Sequence, residues 1–247
     1  MLDSGRGVAK DEAAALEWYR RAAEKGEPIT MLKLGLKHQA GSEGIQANER
    51  EAAKWFQRAA AKGSVRGMIE LAKILEVRSD SSAESWHRAA AKTGDPEAMT
   101  GLASFLSMNV ENSLEPEESL KWYRRAAEAG HVPAMVELGA ELKRGSPEAL
   151  VWFRRAALAG NLKGMWYLAN SLGEDQATES VRWYRLAAEK GDTSSMADLG
   201  LMLEAGIGVQ RNKEEAAAWY RRVLDHADKS DHQAARTGLD RIERSER

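Results

Sequence analysis

The sequence has no cysteine, few prolines and no long apolar run. Without cysteine the chain has no disulfides, thiol nucleophiles or thiolate metal sites. Only five prolines occur in 247 residues, and no Gly/Ser-rich or single-sign tract interrupts the chain. We therefore predict a single array without linkers. No stretch of about 20 apolar residues is present, so no membrane-spanning helix is predicted.

Neither sign of charge predominates. The 36 basic and 38 acidic residues are interleaved along the chain and leave a formal net charge of −2. The basic surface that nucleic-acid binding requires is absent, so we expect a protein or peptide partner and no nucleic acid.

The chain contains an internal repeat that is marked by tryptophan. Seven tryptophans open nearly the same phrase, and a methionine follows the first six at a fixed distance of 13 residues. The tryptophans are Trp18, Trp55, Trp86, Trp122, Trp152, Trp183 and Trp219. Self-similarity at 30 to 37 residues indicates a solenoid, whose units are stable only when they stack on their neighbours.

Each unit is predicted to contain two helices, and we call the helix with the tryptophan helix B. Small residues recur three positions before and four after the tryptophan, as in Ala52 and Ala59, and a glycine follows at position eight, as in Gly63. This spacing predicts that the indole rings pack between units and that glycine ends helix B. The methionine and a leucine three residues later, as in Met68 and Leu71, form the inward stripe of helix A.

The repeated phrase resembles the Sel-1-like repeat family, a relative of the tetratricopeptide repeats. The segments that carry the resemblance are Trp122–Gly130 (WYRRAAEAG), Ala134–Gly139 (AMVELG) and Gly206–Val209 (GIGV). The resemblance implies an all-α, right-handed α-solenoid superhelix of about seven two-helix repeats, with helices A on the concave surface. Such proteins mostly serve as adaptors for other proteins.

We expect one array over residues 1–247. Residues 1–26 form a partial first repeat without helix A, residues 27–227 form six helix pairs, and residues 228–247 form a capping helix. Because the chain begins inside a repeat, it is compatible with an upstream signal peptide. We expect a soluble monomer, in the cytoplasm or the periplasm.

Positions two and five beyond the methionine point away from the inward stripe of helix A and vary from repeat to repeat. They give the candidate partner-binding residues Lys33, Leu36, Glu70, Lys73, Glu137, Tyr167, Asn170, Asp198 and Leu201. Tyr167 is the best anchor candidate, because interface energy concentrates in a few aromatic or arginine residues. Its neighbour Trp166 is expected in the core between repeats.

The residues give little indication of catalysis. The five histidines show no metal-binding spacing, so we predict no metal, no cofactor and no catalytic residue. His87 stands where other units carry Tyr or Phe, which indicates local repacking. Lys92-Thr93-Gly94 matches one element of the serine β-lactamase motifs, but it coincides with the end of helix B and no Ser-x-x-Lys occurs.

The sequence favours a non-enzymatic scaffold that binds a protein or peptide on its concave face. The resemblance leaves a second hypothesis, an immunity protein that neutralises a secreted bacterial lipase-type effector. A penicillin-binding hydrolase is a third and weaker hypothesis.

Overall fold

The computed structural model describes residues 12–41, 45–109, 117–143, 145–226 and 230–245. These residues form helices joined by short turns, and no strand runs through the described part of the chain. The chain divides into two compact units, Met1–Ala129 (unit 1) and Gly130–Arg247 (unit 2). The fold is an all-α repeat solenoid, as the sequence predicts.

Unit 1 contains seven described helices. They are α1 (Glu12–Glu24), α2 (Pro28–Ala40), α3 (Glu49–Ala61), α4 (Val65–Val77), α5 (Ala83–Ala91), α6 (Pro96–Met108) and α7 (Glu118–Glu128). Odd-numbered helices in this unit are helices B, and even-numbered helices are helices A. The N-terminal part of the predicted partial first repeat, before Glu12, lies outside the described residues.

Unit 2 continues the alternation. Its helices are α8 (Val132–Glu141), α9 (Pro147–Leu158), α10 (Leu162–Ser171), α11 (Ala177–Glu189), α12 (Thr193–Ala205), α13 (Lys213–Asp225) and α14 (His232–Ser245). In both units each helix packs on the next one along the chain, and some helices A also touch the helix A of the following repeat. Helix α14 packs on α13 and on α12, so it takes the place of a further helix A.

The turn from helix B to helix A is built by local chemistry. The glycine after helix B has a positive φ in each described turn of this kind, between 83 and 99°. Only glycine adopts this conformation without steric cost. The next residue caps helix A in four turns, where Ser64, Asp95, Asn161 and Asp192 accept a hydrogen bond from the backbone N–H three residues on. These observations confirm the predicted turn.

The packing inside each unit corrects one sequence-based expectation. The residue after each repeat tryptophan is the more deeply buried of the two: Phe56 is 0% exposed, whereas Trp55 is half-buried and Trp18 is 62% exposed. Where the indole is buried as well, as Trp152 is at 6%, the next ring is buried further, as Phe153 is at 2%. Positions −3, +1, +4 and +5 relative to the tryptophan form the inward stripe of α3, and the indole lies at its edge. The positions of the tryptophans and the positions one residue later both recur with the period of a helix. Helical periodicity therefore fits either ring facing the core, and the docking of the neighbouring helix determines which ring is more deeply buried.

The residue that follows the inward leucine of helix A is small, and it leaves space for this buried ring. A Cβ atom at Gly139 would lie 2.8 Å from Cδ1 of Phe153, and one at Gly200 would lie 2.6 Å from Cε1 of Tyr220. Glycine at these positions lets helix A approach the aromatic ring of the following helix B closely, so the pair fixes how two successive helices dock.

Candidate functional site: a groove on the helices A of unit 2

The predicted partner-binding residues of unit 1 differ in how far they are exposed to solvent. Lys33 is exposed, with its ammonium 5.1 Å from the centre of the Tyr19 ring, and Leu36 is exposed on the same helix. Lys73 is exposed as well, but Glu70 is only 5% exposed and accepts ion pairs from its neighbours on α4. The Glu70 carboxylate is thus paired within α4, and its role in partner binding stays a prediction.

Tyr167 and Trp166 form an aromatic wall on α10. The Tyr167 ring stacks on Phe153 with 4.9 Å between centroids and 6° between planes. Trp166 meets Tyr167 edge to face, with 5.0 Å between centroids. Both side chains are half-buried, so each ring packs against the core and also borders open space. Rings held in this way present rigid apolar area at low entropic cost.

The first concavity lies beside this wall and measures about 240 Å³. Phe153, Trp166, Tyr167 and Asn170 line it, together with small residues of α8. The Asn170 side-chain nitrogen Nδ2 is buried and has no hydrogen-bond partner within the described structure. An unpaired buried amide donor costs free energy, so an acceptor from outside would be bound favourably here.

A second concavity of about 220 Å³ lies on the other side of the wall. It is lined by Lys163, Trp166, Tyr167, Asp192 and Ser194. The Lys163 ammonium lies 2.8 Å from a carboxylate oxygen of Glu137 and 5.8 Å from the Tyr167 ring centre. Glu137 and Tyr167, two predicted residues from successive repeats, are thus joined through Lys163.

Asp198 lies between this region and the next concavity. Its Oδ2 accepts a hydrogen bond of 2.7 Å from the Trp166 indole nitrogen. Burial raises the pKa of Asp198 above its ordinary value, the bond from Trp166 lowers it, and the charges of Asp231 and Asp192 raise it. The net effect is upward, because taking a carboxylate out of water disfavours its charged form.

The third concavity, of about 390 Å³, extends from Asp198 and Leu201 on α12 to α14. At the α14 end of this concavity, Arg241 forms a bidentate ion pair with Glu204, with N···O distances of 2.9 and 2.8 Å. This ion pair lowers the pKa of Glu204. The Tyr220 hydroxyl donates to the same carboxylate, and burial raises the pKa of Tyr220.

We call these three concavities together the helix A groove. The groove is lined mainly by α8, α10, α12 and α14, and it brings together four of the nine predicted residues: Tyr167, Asn170, Asp198 and Leu201. A fifth predicted residue, Glu137, touches it through Lys163. The structure adds Trp166, which the sequence analysis had assigned to the core between repeats.

Comparison with known proteins identifies the repeat. A family model described as Sel1 repeat matches residues 1–27, 28–64, 96–131, 133–161, 164–192 and 193–224, which is most of the chain. The chain belongs to the Sel1 repeat family. Sel1-repeat proteins generally bind protein partners and act as scaffolds, and the family is generally non-catalytic.

Similar proteins come from bacteria and fungi. A protective antigen of uropathogenic Escherichia coli is 26% identical with a TM-score of 0.78, over 90% of this chain and 51% of the other. A Sel1 repeat protein from Oxalobacter formigenes is 22% identical with a TM-score of 0.66, over 82% of this chain and 87% of the other, and shows the fold alone. Chitin synthase regulatory factor 3 of Schizosaccharomyces pombe is 26% identical over 90% of this chain. The chain spans only 22% of that relative's length.

The helices B of these Sel1 repeats carry a polar ladder that the sequence analysis missed. The arginine two positions after one tryptophan pairs with the glutamate four positions before the next, as Arg88 does with Glu118 at 2.8 Å. The same glutamate accepts a hydrogen bond of 3.1 Å from the indole of Trp122. Arg154 with Glu179 and Arg185 with Glu215 repeat this arrangement in unit 2. The signal was available in sequence, because both positions recur relative to tryptophan.

An arginine three positions after the tryptophan has another role. Where a repeat carries this arginine, the guanidinium lies over the indole, 4.4 Å from the ring centre for Arg58 on Trp55 and 4.5 Å for Arg125 on Trp122. Trp183 has Leu186 at this position instead. These arginines therefore cover the indole faces of the helices B, beside the ion pairs of the ladder.

Two further motifs have structural explanations. Lys92-Thr93-Gly94 is the end of α5, where the Thr93 hydroxyl donates to the carbonyl of Ala90 and Gly94 has a φ of +87°. Among the described residues, no three His, Asp or Glu side chains converge in a group that could hold a metal ion. Within the same residues no helix is long and apolar enough to cross a membrane.

Proposed function

We propose that this Sel1-repeat chain is a non-catalytic scaffold that binds a protein partner in the helix A groove of unit 2. The observation that carries the proposal is the pair Trp166 and Tyr167, which borders two concavities beside an unpaired buried amide of Asn170. Aromatic anchors in partly desolvated clefts supply most of the energy in protein interfaces.

The character of the groove supports binding over catalysis. Its polar groups are engaged in structural bonds, such as Trp166 to Asp198 and Arg241 to Glu204. None of the described residues that line the groove is a histidine, the general base that most often activates a hydroxyl such as that of Ser194. A relative named as a regulatory factor of chitin synthase is consistent with a role exerted on another protein.

The test uses two leucine substitutions that are chemically identical. Leu201 in the groove is 48% exposed, and Leu158 at the end of α9 is 73% exposed and does not line the groove. Since neither leucine is buried, Leu201→Lys and Leu158→Lys should both leave helicity and the melting temperature nearly unchanged.

The immobilised wild-type chain and both variants are incubated with lysate of the source organism, and retained proteins are quantified by mass spectrometry. We expect a partner that the wild type and Leu158→Lys retain equally and that Leu201→Lys retains at least tenfold less. Equal retention by all three proteins would remove the groove from the binding site.

A further inference from the structure

Three carboxylates in or beside the helix A groove have no basic partner in the described structure: Asp192 and Asp198 line it, and Asp231 is bonded to the lining residue Ser194. Asp192 accepts from the backbone N–H of Ser195, Asp198 from the indole of Trp166, and Asp231 from the hydroxyl of Ser194. The Ser230 hydroxyl also donates to Asp231. All four donors are neutral, and no basic side chain of the described structure forms an ion pair with these carboxylates.

The other acidic residues at the groove are already neutralised. Glu137 pairs with Lys163, and Glu204 pairs with Arg241. The groove therefore retains an excess of negative charge, concentrated around Asp198, and the two neighbouring aspartates act on Asp198 by direct charge repulsion. A bound cation would relieve this repulsion, so the groove is electrostatically complementary to a basic ligand.

The indole face of Trp166 is a second feature of the groove that favours binding of a cation. Five tryptophans on the helices B have an arginine of their own repeat over the ring, at 4.4 to 5.6 Å from the centroid. Within the described residues no cation covers Trp166, although it borders two concavities and touches a carboxylate. An indole face beside a carboxylate is a favourable seat for a guanidinium or an ammonium.

The first concavity indicates what accompanies the cation. Its volume of about 240 Å³ is below the roughly 300–1,000 Å³ of small-molecule pockets, so it suits one large side chain. Its walls are the rings of Phe153, Trp166 and Tyr167, which favours an apolar side chain. The unpaired Nδ2 of Asn170 lies in the same lining and is a donor for a peptide carbonyl.

We infer that the helix A groove binds an extended basic segment of the partner. A lysine or arginine side chain lies against Asp198 and Trp166, a large apolar side chain fills the cavity of Phe153, Trp166 and Tyr167, and a main-chain carbonyl accepts from Asn170. This inference rests on the proposed function and adds the chemistry of the partner.

The inference is tested first by selection. A phage-displayed library of random 12-residue peptides is selected on the full wild-type chain. We expect enriched sequences in which lysine or arginine accompanies leucine, methionine or phenylalanine. Enrichment of acidic or uncharged sequences, or no enrichment, would overturn the inference.

The second step places the basic residue in the groove. An enriched peptide, acetylated, amidated and labelled with fluorescein, is titrated by anisotropy against three proteins: wild type, Asp198→Asn and Asp240→Asn. Asparagine keeps an oxygen that accepts from Trp166 and removes only the charge. Asp240 is exposed on α14 outside the groove lining, so its substitution is a matched control for net charge.

We expect Asp198→Asn to weaken binding at least fivefold and Asp240→Asn to change it less than twofold. Replacing the peptide arginine by citrulline should cause the same loss on the wild type and little further loss on Asp198→Asn. A loss below fivefold for Asp198→Asn would overturn the assignment.

The two proposals fail separately. If Leu201→Lys loses the native partner but no basic peptide is selected, the scaffold function stands and the basic-segment inference fails. If basic peptides bind in the groove but Leu201→Lys retains every native partner, the proposed function fails at this site.

Discussion

The burial of Phe56 beside the half-buried Trp55 gives a direct stability test in α3. Phe56 is 0% exposed, and its ring fills the space that Gly35 leaves open. Truncation of such a buried ring to alanine costs about 3–5 kcal/mol. Trp55 lies at the edge of the same stripe with the Arg58 guanidinium 4.4 Å from its ring centre.

The cost of Trp55→Ala should be smaller. Half of the roughly 2–3 kcal/mol gained by full burial of a large side chain, plus about 0.5–1 kcal/mol for the cation–π contact, gives about 1.5–2.5 kcal/mol. The two adjacent substitutions should therefore differ by about 0.5–3.5 kcal/mol, with Phe56→Ala the more destabilising.

Urea unfolding followed by far-ultraviolet circular dichroism measures both variants without relying on tryptophan fluorescence. Because a repeat array need not unfold in one step, the comparison holds only where the slopes of the unfolding transitions agree with the wild type. A Trp55→Ala variant that is as destabilised as Phe56→Ala, or more so, would refute the conclusion that Phe56 is the core residue of this pair.

Three further predictions follow from individual contacts. Burial lowers the pKa of His87, so this histidine contributes its full stability above about pH 6.5, and stability should decline as the pH falls below that value. The His87→Phe variant should lack this part of the decline when thermal scans at pH 7.5 and pH 5 are compared. Gly238→Ala would place a Cβ atom against the Tyr220 ring, so α14 should show faster amide hydrogen exchange, while unchanged exchange would contradict the packing. Because the pKa of Asp198 is raised, this carboxylate loses its charge at a higher pH than an ordinary aspartate. A basic peptide should therefore bind more weakly as the pH is lowered, and Asp198→Asn should largely abolish this dependence.

The sequence predicts the repeat, the two helices and the turn between them because these features depend on local chemistry. Gly63 adopts a left-handed conformation and Ser64 caps the following helix, and both features depend on the local backbone and not on the rest of the fold. Such requirements appear at constant spacing from each tryptophan, which makes them readable without a structure.

Features that join different repeats are harder to read. Arg88 and Glu118 are 30 residues apart, whereas Arg154 and Glu179 are 25 apart, because the connections between helices differ in length. No constant separation marks the ladder, and it becomes visible only when each residue is numbered from its own tryptophan.

The groove was partly predictable for a similar reason. Helical periodicity places Tyr167 and Asn170 away from the inward stripe, but it does not show that Trp166 turns to Asp198 in the next repeat. Nor does it show that Glu70 is buried between neighbours on its own helix. These outcomes depend on how one helix A docks beside the next.

Photo-crosslinking of the partner tests the central claim most directly. A benzophenone amino acid is placed at Leu201 or Ala140, which line the helix A groove, or at the exposed positions Val151 and Leu158 on helix B. The account predicts partner adducts from Leu201 and Ala140 and none from Val151 and Leu158. Adducts confined to the helix B positions would contradict it.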